Sequence, residues 1–173
     1  MKRITFIIIL TILSCNQDKT IKSFSDSYSK LPLLTLPLTM QTSGDNFFTP
    51  PQKIITDTTL KTLFGHDWGE PIGRLPDTEN YFSVLSFLPS DAGTPIITTY
   101  TKTGKQIDSL YIFNDRPAVT IGLISKQFAT ITADRLIQFT DSTSYIDTLE
   151  NILSSEVIKK TFYLDNSGHI KQR

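Results

Sequence analysis

From residue 70 onward the chain is a string of short apolar runs cut by polar punctuation. Runs near 70–75, 80–88, 95–102, 106–113, 118–124, 127–132, 135–140, 144–149, 156–164 and 169–172 are rich in Ile, Val, Thr, Tyr and Phe. Such residues fit a pleated, half-buried surface. The breaks are Pro89-Ser90-Asp91-Ala92-Gly93, Thr103-Gly104, Asn114-Asp115-Arg116-Pro117 and Asp165-Asn166-Ser167-Gly168. Each is turn chemistry, so the pattern predicts consecutive antiparallel hairpins. Two of them are alike, YTKTGKQID (100–108) and YLDNSGHIK (163–171). Their offsets differ by one residue, and they read as independent hairpins rather than a repeat. The segment NILSSEVIKK is ambiguous, because Leu149, Ile152 and Leu153 also fit one helical turn.

Before residue 70 the pattern changes. Residues 31–43 alternate imperfectly and carry Pro32 and Pro37, which suits an edge strand. A loop follows, NFFTPP (46–51) at its centre. Near 57–64, Leu60, Leu63 and Phe64 share one helical face; Thr56 or Asp57 can cap its start and Gly65 its end. Residues 16–30 are polar and Ser-rich, with Ile21, Phe24 and Tyr28 the only large apolar side chains, and read as a flexible tether. The expected fold is mainly β: one antiparallel meander domain over 31–173, curved or barrel-like, with one short helix near 57–64. A β-sandwich or a partial propeller is the alternative.

Composition fits this picture. The chain has 173 residues, 39% hydrophobic and 20% charged, with 11 Phe. That is ordinary for a single globular domain. The charge is formally zero; without residues 1–14 it becomes 15 basic against 17 acidic side chains, net −2. A near-neutral domain carries no electrostatic footprint for nucleic acid, which is set aside as a partner.

The start of the chain is different in kind. Met1-Lys2-Arg3 is followed by the apolar run Ile4–Leu13. Ten residues span about 15 Å as a helix, half a bilayer core, which suits a secretory signal rather than a membrane span. Ile12-Leu13-Ser14-Cys15 resembles the lipobox of bacterial lipoproteins. An aliphatic residue three before Cys and a small one before it fit; Leu13 is bulkier than the usual residue there. The resemblance implies signal cleavage after residue 14, diacylglycerol on Cys15, and a tether over 15–30. The lone cysteine cannot form an internal disulfide, and no base lies near it in sequence. Asn16 in place of Asp points to the outer membrane, and Gln17-Asp18 resembles weak surface-export signals, which leaves the face undecided. The hairpin string itself is similar to small all-β lipoproteins of Bacteroidetes-type bacteria, a likeness that brings no catalytic residues.

Candidate chemistry is sparse. His66, Asp67 and Glu70 in FGHDWGE could ligate a metal or form an acid–base pair, but no second His or Cys is near and Trp68 suits packing. DNSG starts like a calcium loop without the later ligands. G-x-S-x-G, P-loop and dinucleotide motifs are absent. Phe47 and Phe48 beside two prolines form a candidate contact patch. The reading is therefore a non-catalytic envelope lipoprotein, held to the membrane by its N-terminal lipid and binding an envelope protein or glycan. Candidate binding residues are Phe47, Phe48, His66, Asp67 and Trp68. No cofactor or metal is expected. The alternatives are an envelope hydrolase using carboxylates near His66, and an inhibitor or immunity lipoprotein.

Overall fold

The computed structural model describes residues 23–42, 55–65, 69–89, 93–113, 122–149 and 151–173. Their elements are helix α1 (23–29), β1 (Leu38–Gln41), helix α2 (Thr58–Phe64), β2 (Glu70–Arg74), β3 (Tyr81–Leu88), β4 (Thr94–Thr101), β5 (Gln106–Tyr111), β6 (Leu123–Ile131), β7 (Leu136–Ile146), β8 (Ile152–Leu164) and β9 (Ile170–Gln172). The strands form two antiparallel sheets, ordered β2-β3-β4-β5 and β1-β6-β7-β8-β9. The mainly β, antiparallel fold class stands. The meander, however, is split into two facing sheets with no closed barrel, which matches the sandwich alternative.

The split follows from which positions are apolar. Leu85 and Ile97 of the four-stranded sheet pack with Met40, Ala129, Ile131, Ile137 and Phe139 of the five-stranded sheet. Alternate residues of the same strands, Phe82, Val84 and Tyr100, face the other way and pack with Phe24, Tyr28, Leu31, Leu60 and Phe64. β3 is thus buried on both faces from Tyr81 to Ser86, and the layers run helices, four-stranded sheet, five-stranded sheet. Strands covered on both sides need apolar residues at consecutive positions. The outer face of the five-stranded sheet stays open, with Ile124, Phe128 and Val157 exposed.

One expectation is corrected here. Residues 23–29, assigned to the tether, are helical, and Phe24 and Tyr28 are buried. They sit one turn apart, with Leu31 a further turn on, so a single helical stripe faces the sheet. The Phe24 ring lies 5.0 Å from Phe64 and 5.7 Å from Tyr100; Tyr28 stacks on Phe82 at 4.0 Å. The packed domain therefore extends at least back to residue 23. The single expected helix is α2, capped at Asp57, whose side chain accepts from Leu60 N at 3.0 Å.

Two strand pairs merge. The run near 127–132 and the described end of the run near 118–124, of which residues 118–121 lie outside the described residues, form one strand, β6, and the runs near 135–140 and 144–149 give way to β7. The ambiguous stretch at 152–155 is strand, which lengthens β8 to 13 residues. The two similar hairpins close alike. Thr101 N donates to Lys105 O at 2.7 Å and Asp165 N to His169 O at 2.9 Å. Gly104 and Gly168 take φ of 89° and 88°, as a three-residue loop with a left-handed last residue requires. The β6–β7 turn repeats the pattern, with Arg135 at φ 61°.

Candidate functional site

Cys15, Phe47, Phe48, His66, Asp67 and Trp68 lie outside the described residues. Glu70, the other carboxylate of the hydrolase alternative, is ion-paired to Lys61, which ties β2 to α2. Three further places in the fold carry polar chemistry or exposed apolar surface; of these, only the DNSG turn of the first was weighed from sequence.

At one end of the sandwich, a cleft of about 620 Å³ lies between the 77–81 loop, the β6–β7 turn and the β8–β9 turn. Its polar groups are mostly committed to the scaffold. Asp77 pairs with Arg74 at 2.7 Å, Arg135 donates to Asp77 O at 3.0 Å, and Asn80 donates to Asn166 O at 3.0 Å. Nearby, Lys102 donates to Thr78 O at 2.6 Å over the Phe82 ring; partial burial lowers its pKa. The β8–β9 turn is held by Asp165, kept well below the usual carboxylate range by the Lys171 ammonium and the Ser167 hydroxyl. Lys171 is raised in return.

The second place is Asp141, a buried carboxylate on the inner face of β7. It accepts from Ser125 Oγ at 3.2 Å, Thr143 Oγ1 at 3.3 Å and Gln127 Nε2 at 3.5 Å. The cause is a change of residue type along one face. Inward positions are Ile131, Ala129, Ile137 and Phe139 at one end and Gln127, Ser125, Asp141 and Thr143 at the other. The apolar core therefore ends part-way along the five-stranded sheet. A buried polar group needs such partners, and here it marks the core's polar boundary. Among the described residues, no group of three or more His, Cys, Asp and Glu side chains is placed to hold a metal ion.

Beyond that boundary β6 stays paired to β7 as far as Leu123 and Tyr145, and the β7–β8 hairpin carries exposed apolar side chains. Residues 152–157 are all exposed. Leu149 is 79% exposed, Leu153 69%, Ile152 66% and Val157 54%, with Tyr145 also open. The tip is nonetheless ordered by Asp147. Its Oδ1 accepts from Leu149 N at 2.8 Å and Asn151 N at 2.9 Å, and its Oδ2 from Asn151 Nδ2 at 3.0 Å. These donors, led by the Asn151 amide, lower the Asp147 pKa, so the clamp holds at neutral pH.

Among the described residues, the hairpin also presents an unpaired strand edge. β9 pairs only with Phe162, Tyr163 and Leu164. Arg173 N adds one bond to Thr161 O at 2.8 Å. That bond fixes the orientation of the ladder: odd-numbered residues of β8 aim their N–H and C=O away from β7. From Ser155 to Lys159 these groups meet no strand among the described residues. The regular edge is interrupted at Leu153, where the β7–β8 register shifts between Tyr145 and Ile146. A long, exposed edge with apolar side chains is a template for pairing with another chain. Its residues are ordinary strand residues with no motif among them, which is why the sequence did not mark them.

No protein-family model, curated protein or solved structure matches this chain.

Proposed function

We propose that this chain is a lipid-anchored, non-catalytic interaction module of the bacterial cell envelope whose contact surface is the β7–β8 hairpin. The observation that carries the reading is the hairpin itself: apolar, exposed, clamped at its tip and open along one edge. Backbone edge groups and apolar side chains recognise protein rather than sugar, so of the two partner classes a protein is favoured.

The anchor supports the same reading. Seven residues lie between Cys15 and residue 23, eight chain steps with a reach of at most about 28 Å. The chain enters the domain beside the β4–β5 turn, where the Phe24 ring lies within 2.6 Å of the place a Cβ on Gly104 would occupy. That turn shares its end of the sandwich with the 77–81 loop and the β6–β7 turn. The hairpin tip lies at the far end of β7, 11 residues away, or about 36 Å. A lipid on Cys15 would hold the turn end near the membrane and present the tip away from it.

The test is photo-crosslinking in intact cells, with the reactive residue placed at Leu149, Leu153 or, as control, Lys105. Discrete protein adducts at the hairpin positions and none at Lys105 are expected. Equal labelling at all three, or none, would contradict the reading. Metabolic lipid labelling that persists in Cys15→Ser would remove the anchor.

A further inference from the structure

We infer that the protein occupying the β8 edge is a second copy of this chain, added antiparallel about a two-fold axis through Ser155. The inference rests on the interaction reading above and names its partner.

The argument starts from the sequence of the edge, Ile152-Leu153-Ser154-Ser155-Glu156-Val157-Ile158. Its polarity is palindromic about Ser155. A two-fold axis perpendicular to the sheet keeps each face continuous across the join and pairs residues symmetrically about the central one. With Ser155 at the centre, Ser154 meets Glu156 of the second copy, and Leu153, at the register shift, comes opposite Val157. Apolar side chains fall on apolar ones and polar on polar. Directly opposed pairs are the unit of sheet stabilisation, and like charges placed opposite each other are destabilising.

The neighbouring centres fit worse. An axis at Glu156 sets two carboxylates face to face and puts Leu153 against Lys159. An axis at Val157 sets Glu156 against Ile158 and drives the partner's Leu153 towards Thr161, whose carbonyl Arg173 already occupies. The backbone agrees with the Ser155 centre. Ser155 is an odd-numbered residue, so its N–H and C=O aim outward and can exchange a reciprocal pair of hydrogen bonds with Ser155 of the second copy. The register shift at Leu153 leaves that central pair untouched, since it falls two residues away. All the side chains from Ile152 to Val157 are exposed in the single chain, so pairing displaces none of its packing. The joined area is that of one strand, well below a standard interface, so association is weak in dilute solution. Confinement of anchored copies to one surface raises their effective concentration and favours it.

The experiment uses the full chain with its leader, in isolated membranes. Ser155→Cys should give a disulfide-linked dimer on mild oxidation, because centrally opposed Cα atoms sit about 5.5 Å apart. Lys126→Cys, exposed on β6 away from the edge, should give none. In detergent, Ser155→Lys alone and Ser155→Glu alone should each stay monomeric, while their equimolar mixture should associate at least tenfold more tightly than either. No disulfide from Ser155→Cys above the Lys126→Cys level, or a mixture that associates no better than its components, would overturn the inference. If the hairpin crosslinks in cells to a different protein and not to itself, self-pairing falls and the interaction reading stands. If it crosslinks to nothing, both fall.

Discussion

Replacing Phe24 by Ala should destabilise the whole domain, although Phe24 lies in a Ser-rich segment near the start of the chain. The side chain is 6% exposed and its ring lies 5.0, 5.7 and 6.0 Å from those of Phe64, Tyr100 and Phe82. Truncating a buried Phe costs about 3–5 kcal/mol, the lower end where the surroundings can close over the gap. Phe24 belongs to a single helical stripe over a turn, so about 3 kcal/mol is expected. A typical domain has about 5–15 kcal/mol in all, so this is a large fraction. The assay is urea unfolding followed by circular dichroism, with Ser29→Ala, on the exposed side of α1, as control. Phe64→Ala should show a loss at least as large. The Phe24→Ala/Phe64→Ala double variant should fall short of the sum by about 0.5–1.5 kcal/mol, because the two rings touch. A Phe24→Ala change within about 0.5 kcal/mol, the size usual for surface substitutions, would refute the docked helix and restore a solvated tether.

The remaining expectations concern the core's polar groups. Burial pushes the Tyr28 and Tyr100 hydroxyls up to about 12 from 10.0. Between pH 10 and 12 the unfolded chain therefore loses protons that the folded one keeps, and stability should fall by up to about 1.4 kcal/mol per pH unit for each tyrosine. Unfolding titrations across that window should show the slope, and Tyr100→Phe should flatten it; an unchanged slope would contradict the burial argument. Asp141→Ala leaves the Ser125, Thr143 and Gln127 donors facing a gap, and should cost about 1–3 kcal/mol. Asp141→Asn should cost less; calorimetry showing no loss in either would mean that the cluster is not a structural boundary.

Much of the sheet was legible because its chemistry is local. Turn residues such as Gly104 and Gly168 mark hairpins whatever surrounds them, and Asp57 and Gly65 bracket α2. What was not legible depended on partners distant in the chain. The Phe24–Tyr28–Leu31 stripe is helical in spacing, but Ser at 23, 25, 27 and 29 is a weak helix former that reads as linker; only the groove formed by Phe64, Phe82 and Tyr100 explains it. β6 and β7 each looked like two strands because Ser125, Gln127, Asp141 and Thr143 replace apolar residues at inward positions. The first residues of β8 showed no alternation because neither of their faces is covered. The contact surface escaped notice for the same reason: an open edge is a property of what fails to pair beside it, which no residue in Ile152–Lys160 announces.

The central claim, that the β8 edge is open in the single chain and filled on association, is most directly tested by residue-resolved amide exchange along β8. In dilute solution the Ser155 and Val157 amides, aimed away from β7, should exchange fast while those of Ser154, Glu156 and Ile158 are protected. As the chain is concentrated or confined to membranes, Ser155 and Val157 should become protected together. Uniform protection at all dilutions, or Ser155 and Val157 amides that stay fast however crowded the chain becomes, would contradict it.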